Sequence, residues 1–385
     1  MKVLHVNDYR SLGGAEVVMA VTVSLLRDRG LEVETFTAAD VTGLRRTPLT
    51  YVNSPKARRA LEGRLASFKP DVVHLHNFYH VLSPGILAVL AREKRRRPLR
   101  VVMTAHDYHL VCPSAGLFYV SGGLIQCGHV DRLGSIVYLL SHRWDQRSAA
   151  HSLLKVAQHV WNYRLHRRRR VIDCVICPSR YVEGIFTSRG LPTCFVPHPV
   201  PPQERASSRS ADELRLVFAG RVESEKGVVE LLEMWPVDFG GRLTIVGEGS
   251  RLSRCRTLAR QRGLDVQFTG AVSREDVATI LGQNHVLVLP SLVAETYGMS
   301  LVEALAAGTN ILVSDLGAMR EIVESSGTGF RYTTGDAKSL AEALDRVHRS
   351  FRNGALNQFD VSAFVRARSG HLYTDRLLEV YKHGS

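Results

Sequence analysis

Leu289-Pro290-Ser291-Leu292-Val293-Ala294-Glu295-Thr296-Tyr297-Gly298-Met299-Ser300-Leu301-Val302-Glu303-Ala304-Leu305-Ala306-Ala307-Gly308 spells out one strand, loop and helix in succession. The apolar run Val286 to Leu289 ends as a buried strand, a loop carries Glu295 to Gly298, and a helix is predicted from Met299 to a C-cap at Gly308. The same unit recurs outward in both directions. Leu214 to Gly220, Leu243 to Val246, Val266 to Thr269 and Asn310 to Ser314 read as further strands separated by helical patterns. In the first half, Val3 to Val6, Val33 to Thr37, Val72 to Leu75, Val101 to Thr104 and Val171 to Cys177 alternate with helical stretches such as Ala15 to Arg29 and Pro84 to Arg95. Strands alternating with helices imply parallel sheets with crossover helices. The predicted fold is α/β: two doubly wound, Rossmann-like domains facing a central cleft, with ligands at the carboxyl ends of the strands.

A chain of 385 residues has room for two such domains. The Pro/Ser/Arg-rich stretch from Pro197 to Ser210 is the predicted linker. It divides a first domain, residues 1–200, from a second, 201–360. The uncharged stretch between Asp107 and Asp131, broken by Pro113 and several glycines, reads as loop.

With 45% apolar and 23% charged residues and a mean hydropathy of -0.05, the chain is neither disordered nor a disulfide scaffold. It contains no apolar run long enough to cross a bilayer. The start, Met1-Lys2-Val3-Leu4-His5-Val6-Asn7-Asp8, lacks the features of a secretory signal. A cytoplasmic location is therefore expected, peripheral on the inner face of the membrane if the basic surface binds lipid, and the six cysteines should be thiols.

The net charge of +13 is unevenly placed. Residues 1–200 hold 28 Lys and Arg against 14 Asp and Glu, whereas the rest of the chain holds 22 against 23. The excess clusters at Arg58-Arg59, Lys94-Arg95-Arg96-Arg97 and Arg167-Arg168-Arg169-Arg170. Such clusters either solvate a surface or meet an anionic partner, and a nucleic acid or an anionic membrane would each suffice. Residues 131–170 sharpen the choice. Leu133, Ile136, Val137, Leu140, Leu153, Val156, Val160, Trp161 and Leu165 recur at helical spacing, with Trp144, His151, His159 and the arginine run on other faces. They form either core helices or a basic amphipathic element lying on a membrane.

Two segments carry the chemistry. Glu295, just ahead of the predicted helix, and Glu303, in its second turn, can look into one cleft, and the amides around Gly298, Met299 and Ser300 would face an anion. In Phe218-Ala219-Gly220-Arg221-Val222-Glu223-Ser224-Glu225-Lys226-Gly227, Arg and Lys five residues apart straddle a strand-to-helix turn and can clamp two phosphates. Carboxylates beside an anion site suit a ligand with both hydroxyls and phosphates, such as a nucleotide sugar.

These segments, with Gly13-Gly14-Ala15-Glu16 and Thr104-Ala105-His106-Asp107-Tyr108, resemble the family 4 glycosyltransferases of GT-B fold, over most of the chain from Val3 to about Phe330. The resemblance implies a hexosyltransferase-type, retaining transfer of sugar from a nucleoside-diphosphate donor to an acceptor held by the first domain. It implies that Arg221 and Lys226 hold the donor diphosphate, Glu303 the ribose and Glu295 the sugar hydroxyls. Gly14 would let backbone approach the phosphate, and His106 would lie beside the reacting sugar. Thr296, Tyr297, Gly298, Met299 and Ser300 complete the donor loop, and the resemblance further implies that residues 361–385 pack back on the first domain as a C-terminal helix from about Val361 to His383. No cofactor or metal is expected, in keeping with a sequence that has no Asp-x-Asp signature. With the basic first domain, the resemblance points to a lipid-linked saccharide acceptor, such as a polyprenyl diphosphate sugar in envelope polysaccharide assembly. A soluble glycosyltransferase acting on a small molecule is the alternative. A nucleic-acid-binding protein is disfavoured, since Glu295 and Glu303 would then have no use and no aromatics interleave the arginine runs. Two departures from the family pattern stand out: Thr309-Asn310 after Gly308, and His198 where asparagine is usual.

Weaker signals read blandly. Cys174-x-x-Cys177 lies in an apolar run and reads as buried thiols. Cys112, Cys127, His109 and His129 could form a small metal site but more simply belong to a loop shaping the acceptor pocket. Gly247-Glu248-Gly249 lacks the third glycine of a dinucleotide fingerprint and is read as a turn lining the donor pocket. Asp238-Phe239-Gly240 is read as a loop. His74 and His76 alternate at a strand end, with His76 near the cleft and neither assigned a role.

Overall fold

The computed structural model describes residues 1–10, 13–200 and 212–382; from residue 201 on, the predicted linker lies outside the described residues. The chain divides into two compact units, Met1–Pro199 with Gly370–Ser385, and Val200–Ser369.

In the first unit, β1 (Lys2–Val6), β2 (Glu32–Phe36), β3 (Val72–Leu75) and β4 (Arg100–Thr104) are followed by a hairpin, β5 (Phe118–Ser121) and β6 (Leu124–Cys127), then by β7 (Cys174–Cys177) and β8 (Thr193–Phe195). The main sheet is parallel throughout, in the order β2-β1-β3-β4-β7-β8. Both faces are covered, so the alternation along each strand fills two cores. Leu4, Val6, Val73, Leu75, Val101 and Met103 face one side, and Val3, Val72 and Val102 the other. The second face has a polar continuation toward the strand ends: His5 pairs in register with His74, and both are buried.

In the second unit, β9 (Leu214–Ala219), β10 (Gly241–Val246), β11 (Val266–Gly270), β12 (Val286–Leu289), β13 (Asn310–Ser314) and β14 (Phe330–Tyr332) form another parallel sheet, ordered β11-β10-β9-β12-β13-β14. The chain winds outward from β9 in one direction and from β12 in the other. The topological switch therefore falls between them, where a crevice opens beyond the carboxyl ends. Close backbone passage fixes glycine here. A Cβ on Gly247 (φ +127°) would stand 1.9 Å from the Gly220 carbonyl oxygen, and one on Gly227 (φ +68°) 2.1 Å from that of Pro290.

Several sequence expectations need correction. The predicted strand Val171 to Cys177 is shorter, because Arg168–Val171 forms a helical turn before β7. The stretch between Asp107 and Asp131 contains the β5–β6 hairpin, turned through Gly122 and Gly123, both with positive φ. In residues 131–170 the apolar series is divided between the two readings, with Leu133 and Val156 buried as core helices require and most of the rest turned outward. Tyr138, Leu139, Trp144, Val156, His159 and Tyr163 are buried, whereas Ile136, Val137, Leu140, Leu153, Trp161 and Leu165 are exposed. The C-terminal segment also divides. Val361 and Phe364 sit in the second unit's core, and the helix packed on the first unit is Gly370–Lys382. That helix inserts Tyr373, Leu377 and Tyr381 beside Val3, Met19 and Val23.

The C-terminal helix is thus part of the first unit's core. Leu377→Ala, at a fully buried position, should lower unfolding free energy by about 2–5 kcal/mol in urea titration. Leu372→Ala, 41% exposed, should cost about 0.5 kcal/mol or less. Equal effects would mean the helix is not docked as described.

Candidate functional site

The crevice between β9 and β12 gathers several charged residues of the second unit. After β9 the chain turns at Gly220 and passes Arg221 to a helical turn, Ser224–Lys226, closed by Gly227. After β12 it runs through Ser291 and Glu295 to Gly298, whose left-handed backbone starts the helix Met299–Ala306. The two loops are tied by the Leu292 amide donating to the Glu225 carbonyl at 2.9 Å. Lys226 Nζ then meets Glu295 Oε1 at 2.6 Å, and Ser291 Oγ donates to the same oxygen at 2.6 Å. Burial disfavours the Glu295 carboxylate, but Lys226 beside it, with the Ser291 hydroxyl and Arg221, outweighs that and holds its pKa below the ordinary value. The crevice therefore contains a fixed ammonium and a fixed carboxylate at one point.

The other predicted residues are placed around this pair. Arg221 is two-thirds exposed and pairs with Glu225 at 3.3 Å, so its guanidinium is accessible at the rim. Glu303, one helical face further on, accepts from Arg274 at 3.1 Å; burial raises its pKa, against the pull of Arg274. Met299 and Ser300 open the helix, so their amides lack the acceptors four residues back that later turns have, whereas that of Leu301 donates to the Gly298 carbonyl at 2.9 Å. Thr296 is partly exposed on the loop, whereas the Tyr297 side chain turns inward. Its hydroxyl accepts from Arg368 Nε at 2.9 Å, and Arg368 stacks on Phe364. Gly247 is explained by the Gly220 crossing alone. Ser291, Glu225 and Arg274 were not singled out in the sequence. Their spacing carries no signal, because they act by supporting charged neighbours across loops.

In the first unit the equivalent switch lies between β1 and β3. Gly14 opens the helix Gly14–Asp28, exposed, and a Cβ there would meet no described atom within 4 Å. Its glycine is therefore not required by packing within the unit. Asn7 and Glu16 brace the turn: Asn7 Nδ2 donates to Glu16 Oε1, and the Gly13 amide to Oε2, both at 2.9 Å. His106 follows β4, partly buried, with its Nε2 bonded to His76 Nδ1 at 2.8 Å. It stacks between His76 and His198, at 5.1 and 5.3 Å. His5, His74 and His76 complete the column and were legible in principle. His5, His74-x-His76 and Thr104-x-His106 sit at alternate positions of neighbouring strands, which places them on one face. Among the described residues these three are the only clustered metal-ligand side chains. Cys112, Cys127, His109 and His129 do not assemble: Cys112 is buried beside Ser114, Cys127 is exposed on the hairpin, and His109 binds Asp107. All six cysteines are free thiols.

The amino-acid sequence matches the model described as Glycosyltransferase Family 4 over residues 12–204, and that described as Glycosyl transferases group 1 over residues 201–351. It is 25% identical over 354 residues to the phosphatidyl-myo-inositol mannosyltransferase of Mycolicibacterium smegmatis, across 86% of this chain and 80% of that one. An uncharacterised glycosyltransferase of Methanocaldococcus jannaschii is 31% identical over 141 residues, 35% of this chain and 36% of that protein. The chain thus matches about a third of the second relative's length and four fifths of the first's. The solved sucrose-phosphate synthase of Thermosynechococcus elongatus shares the fold, with a TM-score of 0.72 over 99% of this chain and 98% of that one at 18% identity.

The buried histidines set an acid limit on stability. Burial, reinforced by Arg27, lowers His5 to about 3; burial, opposed by Asp107, lowers His106 to about 4. Below pH 6.5 the unfolded chain takes up a proton at each and the folded chain does not. The stability they carry is full above 6.5 and falls as the pH drops toward 4. Each should cost about 2 kcal/mol between pH 7.5 and 5. Urea unfolding midpoints should fall accordingly, and a flat profile over that range would contradict the neutral, buried state.

Proposed function

The chain belongs to glycosyltransferase family 4, and from that premise we propose that it transfers a sugar, with retention, from a nucleoside-diphosphate donor to a lipid-linked saccharide at an anionic membrane surface. It is a glycosyltransferase built of two Rossmann-like units of the GT-B class. The donor reading rests on one observation: Lys226 and Glu295 in contact at the β9–β12 switch point, beside the Met299–Ala306 helix start. Departure of a diphosphate builds negative charge that Lys226, Arg221 and the helix amides would stabilise, and Glu295 and Glu303 would accept from hydroxyls of the sugar and ribose. With these cations supplying the charge, the transfer is proposed to proceed without a divalent metal. No covalent nucleophile is proposed; the acceptor's proton is assigned to a donor phosphate oxygen, and His106 to the neighbourhood of the reacting sugar.

Lys226→Ala and Arg221→Ala should each lower turnover on the order of 10²–10³-fold, by comparison with removal of one oxyanion donor, and excess chelator should leave the wild type unchanged. The donor is found by thermal shift across UDP-, GDP-, ADP- and TDP-sugars, since ligand at about 100 times its Kd adds about 2.7 kcal/mol. Near-normal turnover in both variants would remove the diphosphate role, and an inverted anomeric product by NMR would remove retention.

The membrane reading is supported by the surface of residues 132–170. Val137, Leu140, Leu153 and Leu165 are 62–72% exposed, and Arg132, Arg143, Arg147, Arg167 and Arg170 are exposed among them. No helix among the described residues is long and apolar enough to cross a membrane. Each basic side chain near an anionic surface contributes about 1 kcal/mol, and apolar side chains entering the interface add to it. Vesicles of phosphatidylglycerol should carry the protein in flotation and those of phosphatidylcholine should not, with Val137→Glu/Leu140→Glu weakening the effect. Absence of any preference, together with turnover of a water-soluble acceptor, would favour the small-molecule alternative.

A further inference from the structure

His5, His74, His76, His106 and His198 form a column of imidazoles at the carboxyl end of the first sheet. Successive ring centroids lie 4.5–5.3 Å apart and their planes are within 37° of parallel. Clustered histidines suggest a metal, but stacked rings carry their lone pairs side by side instead of converging them. Five of the six nitrogens of His5, His74 and His76 are also already engaged. His74 bonds the Tyr381 hydroxyl through Nδ1 at 2.6 Å and Thr104 Oγ1 through Nε2 at 2.7 Å. The others run as a chain: His5 Nδ1 to His76 Nε2 at 2.9 Å, then His76 Nδ1 to His106 Nε2 at 2.8 Å. The sixth, His5 Nε2, is buried with no hydrogen-bond partner.

That orphan atom sets the direction of the chain. Each neutral imidazole has one donor and one acceptor, so only two arrangements fit. If His106 donated from Nε2, the protons would pass along to leave His5 with a buried N–H bonded to nothing. In the opposite arrangement every ring carries its hydrogen on Nδ1, and the atom left over at His5 is an acceptor. Orphaned buried donors are rarer than under-satisfied acceptors, which favours the second. We propose that His5 and His76 are positioning residues that lock His106 in the neutral Nδ1–H tautomer, so that its Nδ1 is a fixed hydrogen-bond donor and not a base. The role rests on the reading that places His106 beside the reacting sugar; the lock itself does not.

The surroundings keep the chain neutral. His74 and His198 stack on it, both buried, with burial lowering their pKa values and those of His5, His76 and His106. Asp107, adjacent to His106, directs its carboxylate to His109 and the Tyr79 hydroxyl, and Arg27 acts on His5 against protonation.

The test is a long-range 1H–15N correlation on the full chain labelled with 15N-histidine at pH 7, with His106 assigned by the signal lost in His106→Gln. His106 should show a protonated Nδ1 and a bare Nε2, and so should His76 and His5; a protonated Nε2 on His106 overturns the inference in the wild type, with His106→Gln needed only for the assignment. His76→Asn keeps an N–H near the Nδ1 position and should retain the tautomer and kcat within about threefold. His76→Leu removes the donor and should release the tautomer and lower kcat by roughly 10- to 100-fold with KM little changed, the effect that outer partners have on functional histidines. Equal losses in both variants with an unmoved His106 spectrum would leave only a packing role and overturn the proposal. A tautomer that shifts in His76→Leu without any change in kcat upholds the lock and removes the placement of His106 at the sugar.

Discussion

In the second unit, β9 and β12 lie side by side while the chain after each departs toward opposite flanks of the sheet, and everything at the candidate site depends on that divergence. It leaves a gap beyond the strand ends that no crossover helix fills. Into it project the turn carrying Arg221 and Lys226 and the loop carrying Glu295. The glycines at 220, 227 and 247 let the neighbouring loops touch backbone to backbone, which fixes the positions of the two charges.

The charges there are compensated in pairs: Lys226 with Glu295, Arg221 with Glu225, Arg274 with Glu303. This matters for selectivity. A simple anion would have to detach Lys226 from a carboxylate already held by Ser291. A ligand carrying phosphates and hydroxyls together replaces both halves of the contact, with phosphate toward the ammonium and hydroxyl toward the carboxylate. The pairing also lets the unit hold poorly hydrated charges without the cost of an isolated ion.

Much of this was legible in the sequence, and the failures have physical causes. The β-loop-α units could be read because strands buried on both faces are continuous apolar runs, as in Val286–Leu289 and Cys174–Cys177. The edge strands Thr193–Phe195 and Phe330–Tyr332 were invisible because three residues are too few to show a period. Residues 131–170 left two readings open because spacing reveals that apolar residues share a face but not which face is inward; buried Trp144 and His159 turn most of the series outward. Arg221 stands out in the sequence because a charged residue just past a buried strand is unusual, and Lys226 and Glu295 lie on the loops after β9 and β12, where the fold brings them into contact. Tyr297 reads as a ligand contact but serves the core through Arg368, a partner 71 residues away.

The backbone crossing at Gly220 and Gly247 also limits how the site can be redesigned. With Gly249 facing the Val222 carbonyl at 2.3 Å from a hypothetical Cβ, this corner has no free volume in which a search for altered donor preference could proceed. Libraries aimed at the β10 side of the crevice would be spent on misfolded clones. Substitutions at the crevice are confined to side chains that reach solvent, such as the partly exposed Thr296 on the loop before the Met299–Ala306 helix.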